Sequence, residues 1–133
     1  MTKKAYLSQA YRIDQRIDCK LEQIASLRTL LTKTNVVMSD MPGNPNRDRS
    51  KIDEYLAKII DMEREIDAEI DRLVSLKADI MHTINMVDDA DCQMLLEKRY
   101  ILFETWEKIA DDMGYTLRNI YNLHGKALNM VNV

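Results

Sequence analysis

Between Thr116 and Lys126 the chain places Thr116, Arg118, Asn119, Tyr121, Asn122 and Lys126 on what would be the outer side of one helix. Their types suit the reading of double-stranded DNA. An arginine can take guanine through two hydrogen bonds, and an asparagine can take adenine in the same way. A hydroxyl and an ammonium suit phosphate oxygens, which assigns such contacts to Thr116 and Lys126. From Thr116 to Val133 there are two positive charges and no acid. Glu104, Glu107, Asp111 and Asp112 precede this stretch, on what reads as the neighbouring helix, and would oppose a polyanion. One copy is therefore expected to attract DNA weakly.

A frame for these side chains is legible around them. Thr105 is a good N-cap for a helix beginning at Trp106 and ending near Met113. Gly114 suits the left-handed residue that closes it. Thr116 can cap a following helix, 117–131. Together these make a helix-turn-helix pattern. Ala110 is the small residue where two helices cross, and Gly114 lies in the turn four positions later. Ile109, Met113, Tyr115, Ile120 and Leu123 face inward, with Trp106 completing the expected core. The second helix of such a unit enters the major groove by its N-terminal residues. His124 follows Ile120 by four positions on the inner stripe, so it reads as a packed histidine. A helix from Gln93 to Phe103, carrying Leu95, Leu96, Arg99 and Tyr100, is expected to precede the pair.

Upstream, two long stretches have helical apolar spacing. The first carries Tyr6, Ala10, Ile13, Ile17, Leu21, Ile24, Leu27 and Leu31, in steps of three and four. The second carries Ile52, Leu56, Ile59, Met62, Ile66, Ile70, Leu73, Leu76, Ile80, Ile84 and Val87. Pro42 and Pro45 mark a loop over 39–50, and Ser50 with Asp53 suggests an N-cap. Residues 1–34 have a net charge of +4 and residues 51–87 a net charge of −4. The expected arrangement over 1–87 is an antiparallel coiled-coil helical hairpin with opposite charges flanking its seam. One hairpin seam leaves Leu7, Tyr11, Leu30, Tyr55, Ile60, Val74 and Met81 without cover. Self-association, as a dimer forming a four-helix bundle, is the expected remedy. The whole chain thus reads as all-α, with a C-terminal three-helix unit over 88–133.

Composition excludes other classes. The chain has 133 residues, with three glycines and two prolines, too few turns for a many-stranded sandwich. No stretch approaches the length of a membrane span. Met1–Ala10 is polar and unlike a secretion signal. Cys19 and Cys92 are far apart, which fits a reducing cytoplasm and no zinc module. The acids of 88–91 read as a helix start, with no metal expected. No Gly-rich phosphate loop or nucleophile elbow is present, and His82 and His124 lie in different segments. Neither an enzyme, a cofactor nor a small-molecule substrate is expected.

Leu95-Leu-Glu-Lys-Arg-Tyr100, Thr105-Trp-Glu-Lys-Ile-Ala110, Gly114-Tyr-Thr and Ile120-Tyr-Asn-Leu-His-Gly-Lys-Ala-Leu128 resemble region four of bacterial sigma factors. The likeness covers about residues 93–131. That region recognises the promoter −35 element and touches the polymerase flap. The chain as a whole resembles small Gram-positive phage and prophage regulators of the ArpU type. The resemblance implies promoter contacts at Leu117, Arg118, Tyr121, Asn122 and Lys126. Sigma factors usually carry basic residues where this chain has Leu117, Asn119 and Tyr121, so its sequence preference should differ. Nothing matches the sigma regions that open the promoter.

The expected function is a dimeric DNA-binding transcription regulator, with promoter or operator DNA as partner and host RNA polymerase as a possible second one. Two alternatives stand beside it. One is an adaptor that binds RNA polymerase or a sigma factor without DNA. The other is a structural coiled-coil interaction protein.

Overall fold

The computed structural model describes the backbone of residues 1–40 and 45–133, and the side chains of 1–33 and 50–133. Those residues are helical apart from short connections, with no strand among them. The helices are α1 (Lys3–Leu7), α2 (Gln9–Asp40), α3 (Pro45–Asn85), α4 (Ala90–Tyr100), α5 (Trp106–Met113) and α6 (Leu117–Met130). None of them is long and apolar enough to cross a membrane, among the described residues.

Several boundaries differ from the sequence expectation, each for a local reason. The first helix breaks at Ser8, whose hydroxyl donates to the Lys4 carbonyl at 2.7 Å. The Ser8 amide donates to the same carbonyl at 3.0 Å, so one oxygen takes both bonds where α1 ends. The next long helix starts at Pro45, so Ser50 lies inside α3 and is not its N-cap. Proline suits a first helical position because its missing N–H would have no helical partner there. Of the expected 39–50 loop, residues 41–44 lie outside the described backbone. The expected 93–103 helix is shifted toward the N-terminus. Asp89 caps it, accepting from the Cys92 amide at 3.0 Å. It ends at Tyr100, and Phe103 then takes φ +59°. The reversal lets the Glu104 amide donate to the Lys98 carbonyl at 3.0 Å. A left-handed backbone costs a bulky residue about 1–2 kcal/mol. The Phe103 ring packs edge-on against Tyr11, with the centroids 5.6 Å apart, and under the Lys77 ammonium at 4.5 Å.

The chain forms two compact units, Met1–Asp14 with Arg72–Val133, and Gln15–Asp71. The division cuts α2 and α3 rather than falling at 87/88. In the first unit, Leu7, Ala10, Ile80 and Ile84 share one core with Cys92, Leu95, Leu96, Tyr100, Ile109, Ile120, Ala127 and Val131. Leu7, expected off the main stripe, is fully buried. The three-helix segment therefore closes its core with the start of the first upstream stretch and the end of the second.

In the second unit, Ile17, Ile24, Ile59 and Ile66 are buried. Charge pairs flank them: Arg16 with Glu69 at 3.0 Å, Lys20 with Glu65 at 3.6 Å, and Arg28 with Glu63 at 2.7 Å. Partner numbers fall along α3 as they rise along α2, which is antiparallel order. The basic residues come from α2 and the acids from α3, as the charge pattern predicts. Leu21, Leu56 and Ile70, expected in the seam, are each more than two-fifths exposed.

Candidate nucleic-acid interface

Three local devices set the relation of α5 to α6. The Thr105 hydroxyl accepts from the Lys108 amide at 3.2 Å and starts α5. Gly114 takes φ +73°, and the Tyr115 amide returns to the Ala110 carbonyl at 2.9 Å. The space where a Cβ would stand at Gly114 is open, so the demand there is on φ alone. The Thr116 hydroxyl then accepts from the Asn119 amide at 3.2 Å and starts α6. Ile109, Ala110 and Ile120 are buried between the helices. Trp106, Met113, Tyr115 and Leu123 are half-buried against the same core.

The sequence-derived contact residues are therefore on one short helix and its cap. Thr116, Leu117, Arg118, Asn119, Tyr121, Asn122 and Lys126 are all exposed. Two carry other duties. Thr116 spends an oxygen lone pair on its cap. Lys126 lies 3.7 Å from the Asp89 carboxylate. At that distance and exposure the pair is worth about 0–1 kcal/mol, so a phosphate can displace it.

Behind α6 lies an aromatic cluster that the motif pattern did not reveal. Tyr100 Oη and His124 Nε2 are 2.6 Å apart. Burial, then the charges of Lys4 and Arg99, push His124 down to about 4. Burial pushes Tyr100 up to about 12. At neutral pH the histidine is thus uncharged, and it shares a hydrogen bond with the Tyr100 phenol. The pair is a packing device, in keeping with a packed His124. Trp106 lies edge-on to His124 at 4.6 Å and to Tyr121 at 5.7 Å, and the Arg99 guanidinium covers its ring at 4.4 Å.

Two of the acids expected to oppose a polyanion, Glu104 and Asp112, are paired with lysines. Glu104 lies before α5, not on it, and its side chain is largely buried. Its carboxylate is 3.7 Å from Lys98 and 3.4 Å from Lys108. Asp112 is 3.4 Å from Lys98. Glu107 and Asp111 are exposed on α5. The sequence reading also left out the N-terminus. Lys3 Nζ donates to the Asn129 carbonyl at 3.4 Å, near the end of α6, where a cation complements the helix dipole. Tyr115, opening the last turn before α6, donates its O–H to Asp91 at 2.8 Å. That bond, and then the Asp91 charge, raises the Tyr115 pKa. No sequence signal announces this pair, 24 residues apart.

Among the described residues no group of three or more His, Cys, Asp or Glu side chains could hold a metal ion. No family model matches the chain, and no curated protein and no solved structure matches it either.

Proposed function

We propose that the chain is a sequence-specific DNA-binding transcription regulator of phage or prophage type, and not an enzyme. In this reading α5, the Gly114 turn and α6 act as a helix-turn-helix, like the sigma region that the sequence resembles. The N-terminal half of α6 lies in the major groove. Arg118 and Asn122 face base edges, and Thr116, Asn119 and Lys126 face the backbone. The α2–α3 hairpin pairs two copies, so that two weakly binding heads act on linked half-sites and gain by effective concentration.

One observation carries the reading: α6 is capped by Thr116, is set by a left-handed Gly114, and offers Arg118 and Asn122 to solvent while Ile120 is buried. The test is a mobility-shift titration of the full chain, at two salt concentrations. The two duplexes are DNA from upstream of its own coding sequence and a random duplex of equal length. Tighter, salt-sensitive binding to the first is the expected result. A folded protein that shifts neither duplex would overturn it.

A second reading is an adaptor that binds RNA polymerase or a sigma factor without DNA. Glu107 and Asp111, both exposed on α5, favour it, because a polyanion is repelled where a basic protein surface is not. Co-purification with polymerase from nuclease-treated extract is its distinguishing result.

A further inference from the structure

The side of α6 beside Arg118 and Asn122 is apolar. Leu117, the first residue of the helix, is 38% exposed, and Tyr121, one turn later, is 49% exposed. Tyr121 is braced by Trp106, which is itself held between Arg99 and His124. Two apolar groups thus stand on one side of the helix, about 6 Å apart along its axis at ~1.5 Å per residue. An exposed leucine beside hydrogen-bonding side chains has little to meet on a phosphate backbone. The major groove holds one apolar feature at base edges, the 5-methyl group of thymine.

We propose that Leu117, with Tyr121 behind it, reads thymine methyl groups next to the base taken by Arg118. The inference rests on the DNA-binding reading and names the base chemistry of the site. No acid lies between Thr116 and Val133; the exposed Glu107 and Asp111 are on α5, and Asp89 faces Lys126. Arg118 adds a guanine and Asn122 an adenine.

The test uses the full chain and a pool of duplexes with a randomised centre. The sequence enriched by repeated selection is remade with uracil replacing thymine at each position in turn. Uracil pairs as thymine does and lacks the methyl group. The expected result is a roughly three- to five-fold loss of affinity at one or two positions, the worth of a buried methyl. In Leu117→Ala that loss should vanish at one of them, with the salt dependence unchanged. Far-UV circular dichroism checks that the variant folds, and the uracil series on the parent protein decides the matter without it. Enrichment of a sequence that tolerates uracil at every position would overturn the methyl assignment and leave DNA binding standing. An equal uracil penalty in parent and folded Leu117→Ala would also overturn it. A pool that never enriches would overturn DNA reading itself.

Discussion

The two compact units bury apolar surface in different ways. In the unit built from residues 1–14 and 72–133, Leu7, Ile80, Ile84, Leu95, Leu96, Ile109 and Ile120 are fully buried, drawn from almost every helix. In the 15–71 unit, Ile17, Ile24, Ile59 and Ile66 form a single line, flanked by Arg–Glu and Lys–Glu pairs. A core closed from many sides leaves a cavity when a side chain is cut back. A seam between two helices can collapse or admit water. The first arrangement holds a surface in fixed geometry. The second leaves apolar residues such as Leu21 and Ile60 about half exposed.

The largest expected effect tests this contrast directly. Leu95→Ala should cost about 2–5 kcal/mol, and Ile66→Ala should fall near the lower end, about 2 kcal/mol. Urea denaturation followed by circular dichroism measures both. Equal costs at the two sites would break the comparison.

Next comes Gly114→Ala. The added methyl group meets open space, so the expected cost of about 1–2 kcal/mol is that of a left-handed backbone alone. A loss of stability well above this would mean that the turn has a packing role as well. Glu69→Gln then probes the seam. Glu69 is buried and faces two cations, Arg16, whose side chain is 58% exposed, and Lys20 at 3.9 Å. Water can therefore take over much of the arginine's solvation, and about 1 kcal/mol is expected. The difference from the parent should shrink in 1 M salt; a salt-independent cost would point to packing rather than charge.

Gly125→Ala should go the other way. Gly125 is exposed within α6, and a Cβ there would meet nothing within 4 Å. A gain of about 0.5–1 kcal/mol is expected from helix propensity. An unchanged or lower melting temperature would contradict the open surface at this position. The pH response of His124 is the smallest effect, because the ring is half-exposed. Its folded pKa of about 4 lies below the ordinary value of 6.5. The unfolded chain therefore takes up the proton first, and the stability from a neutral His124 is full above pH 6.5. It is lost as pH falls toward 4. Parent protein should lose more stability between pH 7 and 4.5 than His124→Gln; equal losses would remove His124 from the pH response.

What the sequence alone determined is local. Thr105 and Thr116 cap as expected, and Gly114 is left-handed, because caps and turns depend on residues within one turn of each other. The inward placement of Ile109, Ala110 and Ile120 follows from helical period, and so does that of Ile17, Ile24, Ile59 and Ile66. The pairing of a basic α2 with an acidic α3 was legible as a sum over many charges.

Tertiary structure decided what depends on distant neighbours. Period places Leu7 off the stripe, yet it is fully buried in the core shared with α4–α6, where packing outweighs a one-position offset. No residue type announces a left-handed Phe103; its ring packs on Tyr11 and under Lys77, both distant in the chain. Likewise Lys126 meets Asp89, Tyr115 meets Asp91, and Tyr100 meets His124, because the fold brings together residues that the chain keeps 24 or more positions apart. Those contacts set which side chains on α6 are committed to the core and which remain outward. A sequence states the period of a helix, but the angle at which its neighbours meet it is settled by packing all of them at once.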